Sequence, residues 1–212
     1  MWEKRIRWLG LFGILSLISY SSMVIFSPLA YPGYDWLSMA ISDLSAKGAP
    51  SQDLANQLNA LFGPCALICV MGVCLAIPSF KNRALKMGVY SFAMMEWICN
   101  VGYTMFPWVE NQNAFSFQNG MHLIVTVLVV LLSLFALVLI GWGAKKEGLY
   151  SLSKWAFVCL ILMLMGPMGT AFFPKSVFGL FERFSTFSAV LFNMILGIYL
   201  FRGRFFLGEC EH

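Results

Sequence analysis

The chain has 212 residues, of which 59% are apolar and 11% charged, and its mean hydropathy is +0.76. That composition supplies too little polar surface for a soluble globule, so the sequence reads as an integral membrane protein with several spans and no separate soluble domain. The net charge of +4 is scattered in small groups at segment ends, without a glycine-rich phosphate loop or a basic stripe interleaved with aromatics, which excludes a nucleic-acid partner.

In chain order, a basic start, MWEKRIRW, leads into an apolar run over residues 8–30. The run is longer than a signal-peptide core and is expected to stay as a first span. The stretch from Tyr31 to Leu54 follows, and it holds every aspartate of the chain: Asp35, Asp43 and Asp53. Within it, residues 35–46 are predicted to form a short amphipathic helix lying in the membrane interface. Asp35 stands at its N-cap, and Trp36, Leu37, Ala40, Ile41 and Leu44 share one face. Ser38, Ser42 and Ser45 share the other face, Gly48 and Pro50 end the helix, and Ser51 is the next N-cap. Further spans are predicted at 54–77, 87–106, 120–142, 152–173 and 181–201, each near the roughly 20 residues a bilayer core requires. The expected fold is all-α, a single polytopic domain forming a six-transmembrane-helix bundle with the interfacial helix in its first outer loop.

Lysine and arginine set the expected orientation. With the N-terminus cytoplasmic, eleven of them fall inside and only Lys47, Lys175 and Arg183 outside, which places both termini in the cytoplasm and the chain in the cell membrane. The third and fifth spans end alike, in GYTMFP (102–107) and GTAFFP (169–174), and each is followed by a helix that opens with ionisable residues. Matched exits of this kind fit a duplicated helical hairpin, although Gly and Phe are common enough in membrane helices for chance to produce them.

Glu96 is the ionisable residue nearest mid-membrane, where a charge costs about 2.5–3.5 kcal/mol on insertion scales. Asn100 and Tyr103 follow on its helical face, and Asn193 and Asn59 are placed to converge on the same cavity. Two readings stand: a substrate or proton site, or a protonated carboxyl joining helices by hydrogen bonding. At the outer face His122 is a candidate base, with Asp43 to orient it and Ser42 or Ser38 as nucleophile. Ser and Asp there are equally explained as capping and helix-polar residues. Glu182 and Arg183 open the last span, either to hold a lipid phosphate or to tie that helix to the first outer loop, for instance through Arg183 and Asp43.

One embedded histidine cannot supply a zinc ligand set, so no metal is expected. Five of the six cysteines (Cys65, Cys69, Cys74, Cys99, Cys159) sit in apolar runs, and with Cys210 they make no disulfide framework. Without haem or dinucleotide motifs, no cofactor is expected.

The residues Pro32-Gly33-Tyr34, Ile41-Ser42-Asp43-Leu44 and Gly48-Ala49-Pro50, the G-x-x-x-F-P exits, His122 and Glu182-Arg183 together resemble the bacterial and archaeal membrane family called domain of unknown function 998. The resemblance covers essentially the whole chain and implies six helices without an established activity. A looser likeness, the Ile-Ser-Asp sequence followed by a small-residue turn and Pro, is to the eukaryotic DRAM and FGF-receptor-activating group, and it tilts the expectation toward lipid handling.

The preferred function is binding of a lipid or isoprenoid-like amphiphile in a cavity open to the outer leaflet, with Glu96, Asn100 and Asn193 below and His122, Asp43, Glu182 and Arg183 above. The alternatives are a small hydrolase or acyl transferase using His122, Asp43 and Ser42, and a proton-coupled carrier using Glu96. A structural partner for another membrane protein is the fourth reading. The pattern sets no oligomeric state.

Overall fold

Apolar residues that surround a helix on all sides, rather than lining one stripe, suit burial in lipid or among neighbouring helices, and most of this chain is built that way. The computed structural model describes residues 2–109, 113 and 116–206; Glu110, Cys210 and His212 lie outside them. The helices are α1 (Trp2–Leu9), α2 (Leu11–Phe26), α3 (Ile41–Leu44), α4 (Gln52–Asn59), α5 (Phe62–Ala76), α6 (Arg83–Met105), α7 (Phe117–Lys146), α8 (Tyr150–Phe172) and α9 (Phe178–Phe201). Among the described residues there is no strand, only an isolated bridge between Lys47 and Val109.

Five segments are long and apolar enough to cross a membrane: Trp2–Ala30, Gln52–Ser79, Phe117–Lys146, Tyr150–Phe172 and Lys175–Phe201. With α6, whose 23 residues carry Glu96, Asn100 and Tyr103, they make six rods. The first two rods are broken rather than continuous. The first breaks at Gly10, where it meets α9: a side chain on Gly10 would collide with the Gly197 carbonyl, and one on Gly197 with the Gly10 carbonyl. Small residues let two backbones approach in this way.

Hydrogen bonds between segments define the two ends of the bundle. At the end bearing both termini, Arg7 Nε donates to the Phe201 carbonyl (2.9 Å), Ser79 Oγ to the Phe205 carbonyl (2.9 Å), and the Asn82 amide to Glu147 Oε1. At the opposite end, the Lys47 amide donates to the Trp108 carbonyl (2.8 Å) and the Leu180 amide to the Leu37 carbonyl (3.1 Å). Two buried clusters match these ends. The larger runs through α5, α6, α7, α8 and α9 toward the terminus-bearing end. The smaller packs Ile41 and Leu44 of the loop between α2 and α4 against Tyr20, Met23, Ala55 and Val190.

The predicted interfacial helix over 35–46 is shortened to the single turn α3. Asp35 does cap, but it caps a separate turn, accepting from the Leu37 amide (3.1 Å) and from Ser38 Oγ (2.5 Å). That local alternative competes with the helix, as short polar side chains do. Trp36 is left 53% exposed while Ile41 and Leu44 are buried, so α3 points into the protein and Trp36 outward. Ser51 likewise precedes α4 without capping it, because its hydroxyl donates to the Leu44 carbonyl (2.7 Å) and fastens the loop from below.

The matched exits end their helices in the same way. The Phe106 amide reaches the Gly102 carbonyl (2.8 Å) and the Phe173 amide the Gly169 carbonyl (3.1 Å). The proline after each phenylalanine disfavours a further helical turn. Gly102 lies against Val125 of α7, and Gly169 against Phe181 of α9.

Candidate functional site

The central level of the site is built by α5, α6 and α9. Glu96 is 3% exposed, and its carboxyl meets Asn193, whose Nδ2 donates to Glu96 Oε1 (2.9 Å) and to the Ala66 carbonyl (3.2 Å). Cys69 Sγ donates in turn to the Asn193 carbonyl (3.6 Å). Asn193 Oδ1 is buried and receives no hydrogen bond among the described residues. Buried polar atoms are nearly always paired, so this acceptor is unusual. Its natural complement is an O–H or N–H group, and a protonated Glu96 carboxyl or the polar group of a bound molecule carries one.

Asn100 does not join that pair. Its Nδ2 donates to the Glu96 backbone carbonyl (2.8 Å), and its Oδ1 lies so close to Gly63 that no side chain fits there. It joins α6 to α5 instead. Asn59 has a buried Oδ1 with no hydrogen-bond partner among the described residues.

The level above is aromatic. Tyr103 donates its hydroxyl to Thr126 Oγ1 (3.1 Å), and Thr126 donates to the His122 carbonyl (2.9 Å). The buried His122 ring lies 4.9 Å from Tyr103 and 5.6 Å from Trp108 between ring centroids. Its Nδ1 is 2.8 Å from the Phe106 carbonyl. A carbonyl only accepts, so Nδ1 carries the proton and, in the neutral ring, Nε2 keeps its lone pair. The Phe106 carbonyl thus takes the orienting role that the sequence reading assigned to Asp43. Asp43 Oδ2 accepts from the Ala40 amide (2.8 Å). The hydroxyl of Ser42 makes no hydrogen bond among the described residues, so no nucleophile–base pair is formed.

The outermost level is a clamp. Arg183 Nη1 donates to the carbonyls of Gly179 (2.7 Å) and Met39 (3.1 Å), while Nη2 donates to the Tyr34 hydroxyl (2.6 Å). Tyr34 passes its own proton to the Ala40 carbonyl (2.8 Å). Glu182 Oε2 accepts from the Ile41 amide (2.7 Å), so adjacent residues of α9 grip both sides of one loop segment. The sequence offered a lipid phosphate or, for instance, Asp43 as partners of Arg183; the structure puts backbone carbonyls and a phenol in the guanidinium fork. Burial pushes the Tyr34 hydroxyl up from its ordinary 10.0 to about 12, with the Arg183 charge beside it pulling the other way. Asp35, on the exposed part of the loop, is held below its usual value by the hydrogen bond from Ser38.

Sequence reasoning missed Tyr34 and Asn119. Tyr34 lay inside the motif but carries no charge to mark it. Asn119 is fully buried and uses both ends of its amide on Val109, Oδ1 accepting from its amide (2.9 Å) and Nδ2 donating to its carbonyl (3.2 Å). An asparagine two residues into an apolar helix was the available signal. Among the described residues no group of His, Cys, Asp and Glu is arranged to hold a metal ion.

Neither a curated protein nor a solved structure matches the chain. A family model described as Protein of unknown function (DUF998) matches residues 14–199, taking in all three levels of the site from Tyr34 to Asn193, and the chain belongs to that family.

Proposed function

We propose that this protein binds a lipid or isoprenoid-like amphiphile from the outer leaflet, with the Glu96–Asn193 pair taking its polar group and the first outer loop serving as lid. The observation that carries the reading is the buried, unfilled acceptor at Asn193 Oδ1 beside an ionisable carboxyl in an apolar bundle. A ligand hydroxyl or amine would complete that pair, and the aromatic level above it, Tyr103, His122 and Trp108, suits the neck of an amphiphile. Arg183 enters as the fastening of the lid, since its donors already serve loop atoms.

In this reading α6 is a sixth span that turns Glu96 inward, and both termini are cytoplasmic in the cell membrane. The support is the eleven-to-three distribution of Lys and Arg between the two ends. Native mass spectrometry of protein extracted gently with its host lipids tests the binding. One adduct of defined mass is expected, and it should be lost in both Glu96→Gln and Asn193→Leu. Bare protein, or a ladder of bulk phospholipids indifferent to both substitutions, rejects the reading.

A second reading, a hydrolase or acyl transferase with His122 as base, draws on the tautomer set by the Phe106 carbonyl. It requires lid movement to bring a nucleophile to Nε2. His122→Gln would then abolish release of product from host lipid extract while leaving the adduct mass in place; unchanged release excludes it.

A further inference from the structure

The turn between α7 and α8 forms an open groove of about 550 Å³ lined by Trp142, Lys145, Lys146 and Tyr150. We propose that this groove holds the phosphate of an anionic lipid headgroup at the terminus-bearing end of the bundle. Four observations carry the assignment.

Lys145 and Lys146 are exposed, and neither side chain makes a hydrogen bond or ion pair among the described residues. Lysines in a last helical turn commonly serve the free carbonyls there. Here the backbone does so: the Leu149 amide donates to the Ala144 carbonyl (2.8 Å) and the Gly148 amide to the Lys145 carbonyl (3.3 Å), with Gly148 at φ 75°. Both ammonium groups are therefore available to a ligand.

The adjacent carboxylate is turned away. Glu147 Oε1 accepts from the Asn82 amide before α6, so its charge is committed to a different segment.

Trp142 and Tyr150 are 62% and 63% exposed on either side of the lysines. Amphipathic rings in such positions sit at headgroup depth and place the ammonium groups at the phosphate plane.

The chemistry recurs at the same end of the molecule. A second groove, of about 230 Å³, is lined by Lys4, Arg7, Trp8 and Phe201, again two cations with two aromatic rings. Basic pockets between membrane helices are the usual form of an anionic headgroup site.

The test uses the full chain in nanodiscs of equal phosphatidylcholine and phosphatidylglycerol, read by native mass spectrometry. Wild type should retain phosphatidylglycerol preferentially. In a Lys145→Gln, Lys146→Gln double variant the preference should fall about thirtyfold, which is what two lysines at roughly 1 kcal/mol each imply. A Lys145→Arg, Lys146→Arg variant, which keeps both charges, should retain it, and this separates binding from misfolding. A parallel arm adds excess inorganic phosphate. Displacement of the lipid adduct by phosphate alone would overturn the lipid assignment in favour of a free phosphate ligand. Equal retention of the two lipids by wild type, or identical preference in wild type and the Gln variant, would overturn the site itself.

Discussion

The Asn193 amide nitrogen donates to two acceptors at once while its own oxygen receives no donor among the described residues, and this asymmetry makes the pair with Glu96 testable. Removing one partner of a buried polar pair strands the other at a cost of about 1–3 kcal/mol, whereas replacing both by apolar groups is often nearly neutral. Asn193→Leu is therefore expected to lower thermal stability in detergent, as is Glu96→Leu with Asn193 retained. The double variant should recover most of the loss. Strictly additive losses in the melting series would mean that the 2.9 Å contact carries no coupling. The prominence of Glu96 was legible from the sequence because one charge in an apolar run needs an explanation. Its partner was legible only as one of two asparagines. Periodicity ranks faces of a single helix, and it is the packing of α9 and α6 on α5 that brings Asn193 to Glu96.

At the scale of elements, the loop between α2 and α4 behaves as part of the bundle. Its helical content is one turn, yet Ile41 and Leu44 are buried and Glu182, Arg183 and Ser51 hold its backbone. The sequence marked the loop as the place where polar residues gather. The length of its helix was less legible, because apolar spacing over 36–44 is equally compatible with a turn, a kink and a single helical turn once Asp35 and Asp43 each take a nearby amide. The clamp has a defined pH response through Tyr34. Its pKa in the folded protein, about 12, lies above the ordinary 10.0, so the neutral hydroxyl's contribution is complete below pH 10 and is lost as pH climbs through about 12. Melting temperature should fall more steeply over that window in wild type than in Tyr34→Phe, a comparison that cancels the titration of lysines. Arg183→Lys cannot reproduce a fork reaching two carbonyls and a phenol, and it should cost about 1–3 kcal/mol at neutral pH in the same assay. Identical pH profiles for wild type and Tyr34→Phe would remove Tyr34 from the clamp.

At the scale of the molecule, the question is whether α6 crosses the membrane with the five more apolar segments. Its polar residues are accounted for within the protein: Glu96 by Asn193, Asn100 by the Glu96 carbonyl and Tyr103 by Thr126. Between Met87 and Val101 its exposed side chains, Met87, Tyr90, Met94, Trp97 and Val101, are instead apolar or aromatic. A helix with its polar groups satisfied inside and apolar groups outside meets the bilayer's requirement even where its average composition falls short. Crossing by α6 puts Lys81 and Lys146 on the same side of the membrane, two spans apart; a helix lying on one surface leaves a single span between them and puts them on opposite sides. Single cysteines at Lys47→Cys, Lys81→Cys, Lys146→Cys and Lys175→Cys, in a background that takes no label, distinguish these arrangements with a membrane-impermeant maleimide on intact cells. Positions 47 and 175 should label at once, and positions 81 and 146 only after permeabilisation. Immediate labelling at only one of positions 81 and 146 would reject the sixth span. Protection at 47 and 175 with labelling at 81 and 146 would keep it and reverse the orientation, moving the amphiphile site to the inner leaflet and the lysine groove to the outer one.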